Sequence, residues 1–368
     1  MKILFITLEE SARQNLQSIL SDEFFILNSK NIQTFGFYNN NSSFEDLTNI
    51  NIKSIMGVTD IIFNVPYLLK LRLRLNEIIS KNNFSHIFFI DSFDFTKFYL
   101  NKFKSYNIKY CQIIGPSVFI WKKSKANYIN NNLDHIFSIF KNESKYYIPK
   151  IYSYIGHPIF NKVISNTNIS TKNISNIGIF LGSRFQEISK NIYIIKNLLN
   201  LINNKGSFQF HIFITNEFED FIKKILIGFP NLKYHLNDNL YYYNISKLDF
   251  AFACSGTVHL ELSFSKIPHF IFYKANFLNF FIFKYFVRSK YLSLLNIFSN
   301  MFVVKEFIQD DFNANDMYEA FNLLNNDSDL LSEYKDNIQI SLNNHNFSKL
   351  NTTLIIDYLK KSSLTIGD

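Results

Sequence analysis

At 368 residues the chain has room, at roughly 150 residues per domain, for two domains or one large one, and either can bury a sizeable core. Hydrophobic residues make up 47% and charged residues 18%, with 10 Gly and 6 Pro, which excludes disordered, collagen-like and low-complexity classes. The formal net charge of +8 favours an anionic partner, whether a phosphate ligand, a nucleic acid or an anionic membrane, without choosing among them.

Residues 2–8 form an apolar run too short for a signal-peptide core. Glu9 and Glu10 follow with no small-residue cleavage site, so the run is expected to be a first β-strand. Further on, residues 65–75 interleave leucines with Lys70, Arg72 and Arg74. On a helix, Leu68, Leu71 and Leu75 share one side while Leu69 and Leu73 fall on another. One side can pack on a sheet and leave an apolar flank, rimmed by cations, that suits anionic lipid. A fully inner helix, or a strand from the alternation at 69–75, are the other readings.

Short apolar runs at 86–91, 108–114, 134–140 and 151–155 are expected to be strands, with helical patterns in most of the gaps. That alternation is the pattern of βαβ units and a parallel sheet. Asp91-Ser92-Phe93-Asp94 closes the first of these strands and sets two carboxylates at the sheet's edge, where one can act as a general base or simply cap a helix. Gly156-His157-Pro158 follows the last strand; a lone His beside a turn is either a packed structural residue or a catalyst.

A polar stretch rich in Asn, Ser and Thr, residues 161–176, reads as an interdomain linker, and the alternation then restarts with strands expected at 177–181, 208–214, 248–253 and 269–272. Two doubly wound units in series imply a cleft with the C-terminal ends of the strands facing a ligand. Leu181-Gly182-Ser183-Arg184 leads from a strand into a helical pattern, a favourable seat for a phosphate with Arg184 as a permanently charged fork, or an ordinary turn with a surface Arg. Ser255-Gly256-Thr257 repeats that geometry, with Glu261 one helical turn beyond; the carboxylate can accept hydrogen bonds from a ribose diol or face solvent.

Phe-rich residues 277–287 are interrupted by Asn279 and Lys284, and no stretch reaches about 18 uninterrupted apolar residues, so no membrane span is expected. The segment, with Phe280 and Phe281, is a candidate for acyl-chain or bilayer contact, or for core packing. From about residue 316 onward the pattern is helical. Cys111 and Cys254 are far apart, without a CxxC or Cys/His cluster, which fits a reducing cytoplasm and neither a disulfide framework nor a structural zinc. The 42 Phe and 21 Tyr against one Trp accompany many Asn, Ile and Lys, residues with A/T-rich codons; genome base composition accounts for the excess as readily as an aromatic binding surface does.

The order of these blocks resembles one family. Met56-Gly57 before Val65-Pro66, then Ile90-Asp91-Ser92-Phe93-Asp94-Phe95, then Gly115-Pro116-Ser117-Val118-Phe119-Ile120-Trp121 are similar to successive blocks of lipid-A-disaccharide synthase. Gly156-His157-Pro158, Gly182-Ser183-Arg184, Ser255-Gly256-Thr257 with Glu261, Tyr273-Lys274, Asn296, and Glu306 with Gln309 continue it collinearly.

The resemblance implies an α/β GT-B type fold of two Rossmann-like domains facing across a cleft, with a helical C-terminal segment. It divides the chain into an acceptor- and membrane-facing domain at 1–165, a UDP-sugar domain at 175–345, and a terminal helix at 346–368 packing back on the first domain. It implies an inverting, metal-free glycosyltransferase of lipopolysaccharide lipid A biosynthesis in a Gram-negative bacterium, needing no cofactor. The substrates would be UDP-2,3-diacylglucosamine and 2,3-diacylglucosamine 1-phosphate, and the products a β-1,6-linked disaccharide phosphate and UDP.

By motif position Asp94 would be the base at the acceptor's 6-hydroxyl and Asp91 a supporting carboxylate. Ser183 and Arg184 would bind phosphate. Ser255, Gly256, Thr257 and Glu261 would hold UDP, and Tyr273, Lys274, Asn296, Glu306 and Gln309 would complete the site. Leu69, Lys70, Arg72, Leu73, Arg74, Phe280 and Phe281 would face acyl chains or the bilayer, giving a cytoplasmic enzyme peripheral to the inner membrane; a homodimer is allowed and nucleic acid is not expected as a partner.

The chain also departs from the family pattern. Thr7-Leu8-Glu9-Glu10-Ser11-Ala12-Arg13 keeps Glu9 and Ser11 of the N-terminal block but lacks its glycines and Asp, so close backbone approach of a ligand is harder there. Leu181 stands for a Pro and Phe119 for a Trp. Three alternatives follow: another UDP-sugar GT-B enzyme, transferase or epimerase; a degenerate, weakly active relative; or a basic binder of RNA or membrane, which lacks a clustered Lys/Arg tract in its favour.

Overall fold

The computed structural model describes residues 1–36, 44–48, 65–105, 107–118, 124–164, 174–274 and 290–364. The chain divides into two compact units, residues 1–161 with 347–368, and residues 162–346.

In the first unit β1 (Ile3–Thr7), β2 (Ile32–Gly36), β3 (Glu45–Asp46), β4 (His86–Ile90), β5 (Lys109–Ile113), β6 (His135–Ser138) and β7 (Tyr152–Tyr154) form one sheet. Its order is β3-β2-β1-β4-β5-β6-β7, and every neighbouring pair is parallel. β1 and β4 are buried along their whole length, as strands covered by helices on both faces must be, so their sequences are nearly unbroken apolar runs.

The second unit repeats the plan. β8 (Asn176–Phe180), β9 (Gln209–Ile214), β10 (Leu232–Leu236), β11 (Phe250–Cys254), β12 (His269–Tyr273) and β13 (Glu306–Ile308) run in the order β10-β9-β8-β11-β12-β13, again all parallel. This is the doubly wound order, in which the strand sequence reverses between β1 and β4 in one unit and between β8 and β11 in the other.

Every strand expected from an apolar run is present. Four others were not anticipated: β2, β3, β10 and β13 are short or mix polar residues into the run, and β3, β10 and β13 lie at sheet edges where one flank needs no apolar cover. β2 ends at Gly36, whose φ of +117° and approach to the Thr7 backbone leave no room for a Cβ.

Around the first sheet lie α1 (Glu10–Leu20), α2 (Val65–Lys81), α3 (Phe93–Phe103) and α4 (Ser124–Asn132); the second unit contributes α5 (Phe185–Asn203), α6 (Val258–Phe264), α7 (Leu294–Ser299), α8 (Ala314–Asn326) and α9 (Ser328–Asn344). The terminal α10 (Thr353–Leu364) belongs to the first unit, where Tyr358 packs tilted against His135 and edge-on against Phe137, and Thr352 donates to Asp22 at 2.7 Å.

The leucine alternation at 69–75 is helix, not strand. Leu71 and Leu75 are buried in the core while Leu69 and Leu73 are exposed, 38% and 59%. Of the cations beside them, Arg72 stacks 3.9 Å above the Phe98 ring and donates to the Phe98 carbonyl at 3.2 Å, and Arg74 pairs with Glu77 at 2.7 Å. Lys70 is exposed.

Much of the phenylalanine is interior. Phe5 stacks on Phe88 at 5.0 Å and Phe88 meets Phe137 at 6.1 Å in one sheet; in the other sheet Phe250 packs edge-on against Phe270 at 4.9 Å, and against Phe321 of α8 at 5.3 Å. Packing therefore uses the aromatic excess across both cores. The segment with Phe280 and Phe281, together with Met56, Gly57, Phe119, Ile120 and Trp121, lies outside the described residues. Among the described residues no helix is long and apolar enough to cross a membrane.

Candidate functional site

Ligands of doubly wound sheets sit beyond the carboxyl ends of the strands, at the point where the strand order reverses. In the first unit that point lies between the ends of β1 and β4, where Glu9 and Asp91-Ser92 emerge. Ser92 Oγ donates to Glu9 Oε1 at 3.3 Å and so joins the two strand ends.

Asp91 and Ser92 both have left-handed backbones, φ 55° and 45°, an uncommon choice for residues with a Cβ. The double turn lets α3 begin at once, with the Ser92 carbonyl accepting from the amides of Phe95 and Thr96. Asp94 therefore falls in the first turn of α3, its side chain 63% exposed, with Lys125 Nζ of α4 at 3.0 Å from each carboxylate oxygen. The Asp91 carboxylate turns back to accept from the Ser92 amide at 3.1 Å, and burial raises its pKa. The two acids thus differ in kind: Asp94 is offered outward, whereas Asp91 forms the turn.

His157 is buried, its Nδ1 accepting from the Ile159 amide at 3.2 Å and its own amide donating to Ser348. The structural reading of that residue is the one the contacts favour.

In the second unit the reversal lies between the ends of β8 and β11, and both glycine-containing turns emerge there. Gly182 has φ +113°, and a Cβ on it would strike the Glu187 side chain. Arg184 caps α5; Glu187, three residues on, accepts from the Ser183 amide at 3.2 Å and from Arg184 Nη1 at 3.1 Å. Asn191 of α5 ties the neighbouring strand ends, donating to the Leu181 carbonyl at 2.9 Å and lying 3.5 Å from Cys254 Sγ.

Past β11, Ser255, Gly256 and Thr257 lead into α6, and the Thr257 side chain makes no capping bond to it. The loop is held instead by buried His259, whose Nδ1–H donates to the Gly256 carbonyl while Nε2 accepts from the Leu294 amide at 3.2 Å. Both roles require a neutral ring, and burial brings its pKa down to about 4.

Glu261 accepts from the Tyr241 hydroxyl at 2.9 Å, and burial lifts its pKa from the ordinary 4.5 to about 7. A carboxyl whose folded pKa is raised favours folding fully below pH 4.5, and that contribution is lost as the pH climbs through 7. Glu261→Gln is therefore expected to gain on the order of 1–2 kcal/mol on wild type between pH 5 and pH 8 in urea unfolding, less than the full shift because solvent reaches the partly exposed group. Equal differences at both pH values would show that the carboxyl is not held protonated.

Tyr273 ends β12 and feels the charges of Glu187 and Arg184, with burial the larger cause of its raised pKa. Lys274 and Gln309 line an open groove of about 660 Å³ beside α5 and the start of α8. Asn296 and Glu306 bond to their own unit. Asn296 accepts from the amides of Val303 and Val304 at 2.7 and 2.8 Å and donates to Glu306 Oε1 at 2.7 Å. Glu306 in turn accepts from the Leu292 and Ser293 amides. The structure thus gathers Ser183, Arg184, Ser255, Gly256 and Thr257 at one strand reversal, while Asn296 and Glu306 brace the chain at 292–306.

Glu187, Tyr241, His259 and Gln112 are not marked by any motif in the sequence. Only Glu187 left a local signal, the acidic residue three positions after a helix cap.

A family model described as Lipid-A-disaccharide synthetase matches residues 3–356. The lipid-A-disaccharide synthase of Wigglesworthia glossinidia brevipalpis is 28% identical over 330 residues, covering 82% of this chain and 80% of that one. Among solved structures, the glycotransferase of kitacinnamycin aligns with a TM-score of 0.61 at 10% identity, over 98% of each chain. The UDP-GlcNAc 2-epimerase of Neisseria meningitidis, bound to UDP-GlcNAc, aligns at 0.60 and 14% over 98% of this chain and 100% of that one. These two likenesses show the fold alone, two parallel-sheet α/β domains of the GT-B type.

Proposed function

We infer the reaction from one premise: the chain belongs to the lipid-A-disaccharide synthetase family and is a glycosyltransferase of lipid A biosynthesis. It transfers 2,3-diacylglucosamine from its UDP derivative to the 6-hydroxyl of 2,3-diacylglucosamine 1-phosphate, with inversion, and releases UDP. The observation that carries the assignment of roles is the gathering of the motif residues at the strand reversal of each unit.

In this reading Asp94 takes the proton of the acceptor hydroxyl as its oxygen attacks the anomeric carbon. The bond to the UDP oxygen breaks with its electron pair, and the charge that gathers on the diphosphate is met by Arg184 and by backbone N–H groups after β8 and β11. Glu261, with Tyr241 fixing one of its oxygens, accepts from the ribose hydroxyls. Asp91, Ser92 and Glu9 hold the turn that carries the base.

The test is incubation of purified protein with both acylated substrates and detection of the disaccharide phosphate and UDP by mass spectrometry. Conversion of UDP-N-acetylglucosamine alone to its epimer, with no disaccharide formed, would overturn the assignment in favour of the epimerase.

We also propose that the enzyme works in the cytoplasm, docked on the inner face of the inner membrane where acylated substrates reside. Exposed Leu69 and Leu73 beside Lys70 on α2 support this. Wild type is expected to float with anionic vesicles, and the double variant Leu69→Asp/Leu73→Asp to lose most of that binding while melting at the same temperature. Equal flotation of the two would remove α2 from the docking surface.

A further inference from the structure

Left-handed backbone concentrates where β4 and β5 end: Asp91 and Ser92 after β4, and Ile114, at φ 61°, after β5. For a β-branched residue such as Ile114 that conformation is a true outlier, sustained only where its surroundings over-determine it. One side chain bonds to the backbone at both strand ends. Gln112 on β5 is fully buried, and its Nε2 donates to the Asp91 carbonyl at 2.6 Å and to the Ile114 carbonyl at 3.1 Å. Its Oε1 accepts from Thr96 Oγ1 at 3.0 Å, which settles which end of the amide faces the carbonyls and also ties it to the first turns of α3.

We propose that Gln112 is a positioning residue of the transfer reaction: its amide locks the left-handed turn at Asp91-Ser92 and, through the start of α3, fixes where Asp94 presents its carboxylate. The inference rests on Asp94 being the base. Asp94 itself is exposed and anchored by Lys125, so the backbone beneath it must supply the remaining precision. An apolar side chain at 112 would leave the carbonyls of Asp91 and Ile114, one at each of two strained strand ends, without their buried donor, and the Asp91-Ser92 turn would relax toward ordinary φ values. Helix α3 would start differently and Asp94 would move relative to an acceptor hydroxyl. Displacements of this kind cost rate in the bound complex rather than substrate affinity.

The test uses the full chain with Gln112→Met, which matches length and volume without the amide, alongside Asp94→Asn. Gln112→Met is expected to lower kcat about 10- to 100-fold per folded molecule, folded fraction being read by circular dichroism, with KM for both substrates within about twofold. Thr96→Val, which frees the amide to rotate, is expected to give a smaller fall of the same kind and to add little to Gln112→Met. A slow Asp94→Asn beside a Gln112→Met with wild-type kcat per folded molecule would overturn the role of Gln112 alone. Wild-type kcat in Asp94→Asn would remove the base, and with it this inference.

Discussion

Asp94→Asn is expected to lower kcat by about 10²–10⁴-fold, the usual worth of a positioned general base, while the protein melts within a degree or two of wild type. The amide is isosteric, so shape and helix start are kept, but its oxygen is too weak a base to take the acceptor's proton. Stability should barely move because the side chain is 63% exposed and the pair with Lys125 is a surface ion pair, worth about 1 kcal/mol at most. Steady-state assays and thermal melts on the same preparations check both halves. A rate within twofold of wild type would sink the assignment, whereas a large fall in melting temperature would mean that the lost rate reports folding.

Arg184→Ala is expected to lower kcat/KM by about 10²–10³-fold, since a charged fork facing the diphosphate gains most as charge gathers on the leaving group. The structural cost is small: Arg184 is 48% exposed and its ion pair with Glu187 lies one helical turn away. Arg184→Lys should recover only part of the loss, because a point charge replaces two parallel N–H groups. Equal rates for all three proteins would take Arg184 out of the phosphate site, and a loss confined to KM would assign it to ground-state binding.

The strands that could be found from sequence were those whose burial on both faces leaves an unbroken apolar run, such as β1, β4, β8 and β11. β10 and β13 were not, because an edge strand is satisfied with polar residues on one flank and three residues hold no period. The turns bearing Asp94, Arg184 and Thr257 were legible from their place after strands and from their family order. What lay hidden were partners that meet only when the chain folds: Gln112 beneath Asp91, 21 residues apart, and Tyr241 against Glu261, 20 apart. A buried glutamine in the run Lys-Tyr-Cys-Gln-Ile looks like any polar residue tolerated in a strand, and nothing near it in sequence says which carbonyls it serves.

The carboxylate of Glu187 sits against the groups proposed to receive a phosphate, the Ser183 amide and the Arg184 guanidinium. Arrival of a nucleotide at that place is then an exchange of anions rather than the capture of one by bare cations. The net attraction is the difference between two pairings, so the nucleotide is held less tightly than Arg184 alone would hold it. The reverse exchange helps it go, because the resident acid is tethered one helical turn away and can return as the product departs. In the proposed reaction, whose product is a nucleoside diphosphate, such a rival would exchange grip for faster release.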